Sequence, residues 1–262
     1  MSDSPQKAAR ETMGEKAGFA LAAGIARPLL NLFMRKEWRG IERLENLPGG
    51  GGFIACPNHC TEIDPLTVGH MLYNQGRPPH FLAKAGLFKP PFLRQLMRAT
   101  KQIPVDRGGT GAGSSLEVAR QVLDEGGAII VYPEGTLTRD PALWPMKGHT
   151  GAARLALKTG APVVPIAHWG DHELFPRYAK RLYPFPRKKA VVLVGDPVDL
   201  SDLADHPLDK TTLVAATDRI MDAITALLAE LRGEQAPAQR WDPSQHQQTL
   251  RGRDVERGGT SA

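Results

Sequence analysis

Short apolar runs alternate with amphipathic stretches along the chain. FIAC (53–56), HFLAK (80–84), QIPV (102–105), AIIVYP (128–133), PVVPIAHW (162–169) and KAVVLVGD (189–196) are runs of strand type. Continuous apolar runs such as AIIVYP suit strands covered on both faces. Helical stretches lie between them. One follows Pro65 and carries Leu66, Val68 and Met71, and PFLRQLMRAT at 91–100 is a second. A third carries Leu116, Ala119, Val122 and Leu123, capped by Ser114 or Ser115 and ended by Gly126-Gly127. A fourth spans 150–158 and ends at Gly160; the last opens at Thr211 or Thr212 and ends near Leu231-Arg232-Gly233. This alternation predicts an α/β class, as a single domain with a central mixed, mostly parallel sheet flanked by helices.

The early stretch GFALAAGIARPLLNLFM, 18–34, is interrupted by Arg27 and Pro28 and is too short and too broken to span a bilayer. It suits either an interfacial helix, with Arg35 and Lys36 beside its apolar mass, or a helix packed on the domain's own core. Residues 1–16 are polar and 233–262 are rich in Gln, Arg, Gly and Pro; both ends are expected to be disordered around a folded domain at 17–232. With 262 residues, 41% of them hydrophobic, the chain can bury one substantial core. The net charge of +5 and pI near 9.3 favour anionic partners, whether phosphates, nucleic acid or an acidic membrane. The two cysteines, Cys56 and Cys60, make no disulfide framework, and the N-terminus does not read as a signal peptide.

Three segments carry candidate chemistry. In PNHCTEIDP, 57–65, a histidine and an aspartate flank a strand-to-helix loop, and Pro65 favours a helix start. Asp64 can fold back onto one nitrogen of His59 and leave the other as a general base. In VYPEGTLTRD, 131–140, a strand ends in a turn where Gly135 allows close backbone approach, Thr136 adds a hydroxyl, and Glu134 can bind an acceptor hydroxyl or a cation. In KQIPVDRG, 101–108, Arg107 enters a Gly-rich loop with a guanidinium suited to phosphate. Cys56, His59 and Cys60 lack a second ligand pair at zinc spacing, so no metal is expected. RYAKRLYPFPRKK, 177–189, places six basic residues among aromatics without an acid, which fits an anionic bilayer, coenzyme A phosphates or an acidic carrier protein. No nucleic-acid motif accompanies it, and no nucleic-acid partner is expected.

In order, His-x4-Asp, a strand ending in Asp-Arg, Pro-Glu-Gly-Thr and Val164-Pro165-Ile166 resemble the four motifs of the glycerolipid acyltransferase family, which includes the 1-acylglycerol-3-phosphate acyltransferases. The resemblance covers roughly residues 35–200 and implies a glycerolphosphate acyltransferase-like fold. It implies that His59 is the general base, oriented by Asp64, and that Arg107, Glu134 and Gly135 line the acceptor's phosphate and glycerol site together with Thr136. Leu137 stands where the family often has an arginine, so Arg139 or Lys147 is expected to supply that charge. Pro104 and the interrupted N-terminal stretch are further departures.

The implied reaction belongs to phospholipid synthesis and lipid metabolism. A fatty acyl group passes from acyl-CoA or acyl carrier protein to the free hydroxyl of 1-acylglycerol-3-phosphate, a lysophosphatidic acid, giving phosphatidic acid. The thioester is a substrate, and no cofactor is expected. The alternatives are another acceptor (glycerol 3-phosphate, another lysophospholipid or a glycolipid) or an inactive membrane-binding scaffold. The expected location is cytoplasmic, peripheral on the cytoplasmic membrane.

Overall fold

A computed structural model describes residues 12–45, 47, 51–84, 86, 89–105 and 112–248. Arg107 lies outside the described residues. Among those described, seven strands form one sheet. Their order is β1 (Met34–Arg39), β7 (Lys188–Val194), β6 (Val163–Trp169), β2 (Phe53–Pro57), β5 (Ala128–Ile130), β3 (Pro79–Lys84) and β4 (Ile103–Val105). Every neighbouring pair is parallel except β6 with β7. The sheet is therefore mixed and mostly parallel, as the alternation predicted.

The centre of the sheet shows why the strands read as unbroken apolar runs. All five residues of β2 are buried, and successive side chains serve opposite layers. Ile54 and Cys56 pack with α4 (Ala112–Asp124), α5 (Gly151–Thr159) and α7 (Lys210–Arg232). Phe53 and Ala55 pack with Val68, Met71 and Leu72 of α2 (Asp64–Asn74). Val164, Pro165 and Ile166 lie in register beside Ala55, Cys56 and Pro57, so the fourth motif seats the strand that delivers His59. Gly52, just before β2, has no room for a side chain: a Cβ there would sit 2.5 Å from the carbonyl oxygens of Leu123 and Gly127.

Several boundaries differ from expectation. α4 begins at Ala112, which puts Ser114 and Ser115 inside the helix instead of at its cap. α7 begins one residue before Thr211, capped by Asp209, whose carboxylate accepts from the Thr212 N–H at 2.9 Å. Residues 12–16 belong to α1 (Met13–Phe33): the Thr12 hydroxyl accepts from Glu15 N and the Glu15 carboxylate accepts from Thr12 N, a reciprocal cap. Lys101 then pairs with Glu15 at 2.8 Å. The C-terminal boundary also moves. Trp241 bridges Met146, Arg240 pairs with Asp218 and Asp222 of α7, and Asp242 pairs with Lys147. A few strong contacts thus hold 240–242 against the domain despite the polar composition of the segment.

α1 has two unlike faces. Gly18, Phe19 and Leu30 are buried, whereas Leu21, Ile25, Leu29 and Leu32 are 53%, 58%, 52% and 56% exposed. Core packing accounts for the first face and leaves an apolar stripe along the second. Among the described residues no helix is long and apolar enough to cross a membrane.

Candidate active site

Three loops meet beyond the C-terminal ends of β2, β5 and β6, where open α/β sheets present their chemistry. The first leaves β2 at Pro57. Asn58 pins it to β6: its amide donates to the His168 carbonyl at 3.1 Å and its carbonyl oxygen Oδ1 accepts from the His168 N–H at 2.9 Å. The loop then closes on Asp64, the first residue of α2, which is fully buried. Oδ2 of Asp64 accepts from the backbone N–H groups of Cys60 and Thr61 at 2.7 and 2.8 Å and lies 3.0 Å from Nδ1 of His59. A carboxylate held by two amides is fixed as an acceptor, so Nδ1 of His59 donates to it and Nε2 is left as the basic nitrogen. The His59 side chain is 16% exposed and stacks on Tyr132, with ring centroids 4.1 Å apart.

The second loop clamps the backbone of His59. Gly135 N donates to the Tyr132 carbonyl at 3.0 Å, and Gly135 continues at φ +70, a conformation glycine adopts without strain. The chain then returns so that Thr138 N donates to the His59 carbonyl at 2.7 Å. Glu134 Oε1 accepts from His59 N at 2.9 Å and Oε2 from Met146 N at 3.0 Å. Glu134 is fully buried, and burial pushes its carboxyl up to about 8 against the pull of these bonds. The sequence placed Glu134 against the acceptor. The structure instead commits its carboxylate to the protein's own backbone, because both oxygens are needed to hold two loops together.

The other candidates fall as follows. Gly135 and Thr136 are half-buried on the turn, and Leu137 is buried. Arg139 is 4% exposed; burial lowers its pKa, and so does the charge of Arg177. Arg177 donates to the carbonyls of Thr138 and Asp140, bringing a second arginine to this turn. The ammonium of Lys147 is paired with Asp242 at 2.9 Å.

Sequence reading missed the third loop. His168 ends a strand-type run and reads as one more strand residue. It is fully buried, with Nε2 2.7 Å from the Asn58 carbonyl oxygen and 3.6 Å from Asp64 Oδ2, and Nδ1 2.9 Å from Asp171 Oδ2. Asp171 opens the short α6 (Asp171–Leu174), and its Oδ1 accepts from the Thr67 hydroxyl at 2.8 Å. Gly170 makes the turn at φ +105, where a Cβ would collide with the Lys189 carbonyl oxygen. The available signal was a second histidine shortly before an aspartate at the end of a strand. Cys60, Asp64 and His168 bring ligand-type atoms within 4.8 Å of one another. The Cys60 thiol is pushed up to about 12 by burial, the reverse of what a thiolate ligand needs, and Asp64 and His168 are engaged by hydrogen bonds. This donor set is a hydrogen-bonded cluster.

A partly exposed imidazole held against a buried carboxylate, at the mouth of a sheet, has the geometry that general-base acyl transfer needs. Residues 39–169 match the family model described as Acyltransferase, and the chain belongs to that family; it is an acyltransferase enzyme. It is 31% identical over 185 residues to the 1-acyl-sn-glycerol-3-phosphate acyltransferase of Bacillus subtilis strain 168, covering 70% of this chain and 84% of that one. It is 28% identical over 193 residues to an N-acylphosphatidylethanolamine synthase of Arabidopsis thaliana, covering 68% of each. Its fold is similar to the crystal structure of the 1-acyl-sn-glycerophosphate (LPA) acyltransferase PlsC from Thermotoga maritima. There the TM-score is 0.60 at 24% identity, over 85% of this chain and 84% of that one.

Proposed function

We propose that this acyltransferase moves a fatty acyl group from acyl-CoA or acyl carrier protein to the free hydroxyl of 1-acylglycerol-3-phosphate, giving phosphatidic acid. The observation that carries the reaction is the His59–Asp64 contact at 3.0 Å, in a loop whose backbone is fixed by Glu134 and Thr138. Nε2 of His59 removes the hydroxyl proton as the oxygen attacks the thioester carbonyl. A C–O bond forms, the C–S bond breaks, and the imidazolium returns its proton to the departing thiolate. Asp64 stabilises that imidazolium. No bond to the enzyme is required.

The acceptor assignment draws on the names of the relatives and on the cationic turn, where Arg139 follows Thr136 by three residues and Arg177 donates to the carbonyls of Thr138 and Asp140. A cavity of about 260 Å³ between α1, α2 and α3 (Pro91–Ala99) supports the acyl group's place. Its walls include Phe19, Ala22, Leu66, Gly69 and Phe81, and Pro65 joins it to Asp64. The exposed stripe of α1 and the basic segment 177–189, with Phe185 72% exposed, suit peripheral docking on an anionic membrane.

The test is thiol release from oleoyl-CoA by the purified chain, with and without lysophosphatidic acid, beside His59→Ala. Release that needs both acceptor and His59, with phosphatidic acid as product, is the expected result. A buried leucine at 137 and the N-acylphosphatidylethanolamine synthase relative favour one second reading, a different acceptor. Faster turnover with phosphatidylethanolamine than with lysophosphatidic acid would select it.

A further inference from the structure

We infer that His168, locked between the Asn58 carbonyl and the Asp171 carboxylate, is a positioning residue: as a buried imidazolium it keeps Asp64 ionised and aimed at His59, and keeps His59 free to take a proton. This rests on the reading of His59 as the base.

The argument begins with proton count. Both ring nitrogens of His168 face oxygen acceptors, Asn58 O at 2.7 Å and Asp171 Oδ2 at 2.9 Å. A neutral imidazole has one N–H and would turn a lone pair toward the other oxygen. Two N–H groups avoid this: Nε2 donates to Asn58 O, and Nδ1 approaches Asp171 Oδ2 as a charge contact without hydrogen-bond alignment. Asp171 is itself held as an acceptor by the Thr67 hydroxyl. Burial alone would strip the proton, but Asp64, Cys60 and Asp171 more than offset it and hold His168 well above the usual imidazole range. The same charge lies 3.6 Å from Asp64 Oδ2.

The sign of the effect on His59 follows. With Asp64 and Asp171 ionised and His168 charged, the cluster carries one net negative charge at rest and none once His59 is protonated. The site is thus neutralised in the state formed during transfer. Without the His168 charge, the carboxylates of Asp64 and Asp171 would lose the positive charge between them, and the extra negative charge would favour a proton on His59, which Asp64 contacts. The other titratable groups around the cluster do not supply the missing charge. Cys60 in the same loop and Tyr132 beyond β5 are held neutral by burial, Glu134 is raised to about 8, and burial lowers the pKa of the His172 ring on α6.

The decisive experiment is a pH titration of histidine ring nitrogens by NMR in the full chain labelled with ¹⁵N-histidine, with His168 assigned through His168→Gln. Both ring nitrogens of His168 should be protonated at pH 7. In Asp171→Asn the new amide can donate to Nδ1, so the ring becomes neutral without losing its contacts. One negative and one positive charge then leave together, so the His59 titration should stay close to the parent's. His168→Gln leaves both carboxylates without the imidazolium and should move the His59 titration up by about one pH unit, and the His168 ring protonation in the parent keeps the test alive if that variant fails to fold. With oleoyl-CoA and lysophosphatidic acid, the acid limb of kcat/KM should follow that shift, and kcat should fall about tenfold with little change in KM. A neutral His168 ring at pH 7, or a His59 titration that stays put in His168→Gln, overturns the inference. The NMR result does not depend on the acceptor, so a failure of the lysophosphatidic acid reading would be seen separately, as absent turnover beside an intact titration.

Discussion

Among the described residues two histidine–aspartate pairs stand on adjacent strand ends, and they differ in what surrounds the second ring nitrogen. In each, Nδ1 of the ring meets a buried carboxylate, at 3.0 Å for His59 and Asp64 and at 2.9 Å for His168 and Asp171. What separates them is the other nitrogen. Nε2 of His168 is taken by the Asn58 carbonyl in a fully buried site, whereas the His59 side chain is 16% exposed, which leaves its Nε2 open to the substrate in the proposed reaction. A histidine–aspartate contact alone therefore does not make a base. Access to the second nitrogen does.

The comparison can be broken most severely at His59. His59→Ala should cost about three to four orders of magnitude in kcat while leaving circular dichroism and Tm close to the parent. Asp64→Asn should follow at about a thousandfold, because its amide can turn an N–H toward Nδ1 and select the wrong tautomer. It should also lower Tm, since Cys60 N and Thr61 N then share a weaker acceptor. An Asp64→Asn enzyme with parental kcat would remove the orienting role.

Glu134→Gln probes the clamp. A glutamine has one acceptor end for two backbone N–H groups, so one is lost at about 1–3 kcal/mol, and kcat should drop about tenfold. The pH dependence of stability has a definite sign. The Glu134 carboxyl, raised to about 8 by burial, keeps a proton in the folded chain that the unfolded chain has released above its ordinary value near 4.5. Its contribution to stability is full below that ordinary value and is lost as pH rises through about 8. Tm should fall across this window in the parent and less steeply in Glu134→Gln. An equal slope in the two proteins would place the titration elsewhere.

The smallest effect is expected at Tyr132. Its ring stacks on His59, and its buried hydroxyl has no hydrogen-bond partner among the described residues. Tyr132→Phe keeps the stack and removes an unpaired polar atom, so kcat should stay within about twofold and Tm should hold or rise slightly. A large loss of kcat would instead show that the hydroxyl touches substrate.

What could be read from the sequence follows physical range. FIAC and PVVPIAHW announce themselves because a strand covered on both faces has no polar positions to break the run. MRKEWR, which forms the edge strand β1, is mostly charged and has only β7 as a neighbour, so nothing in its composition marks it. AIIVYP reads as a longer strand than the three residues observed, because the loop that carries Glu134 begins within it. The His59–Asp64 pair is legible because both residues lie in one loop. The His168 pair is not, because its bond to Asn58 spans 110 residues and exists only through the pairing of β6 with β2. Glu134 was visible as a candidate, but its role depends on which backbone groups the fold brings to it.

Trp241 lies well outside the matched stretch 39–169, yet a short series of bonds connects it to the base. Trp241 bridges Met146, Met146 N is bound by Glu134, and the other oxygen of Glu134 holds His59 N. The loop that carries His59, the proposed base, is therefore anchored partly by residues that no motif marks. Exchanging the C-terminal segments of two relatives would change how firmly the base is seated, and so alter turnover while every residue that meets substrate stays the same.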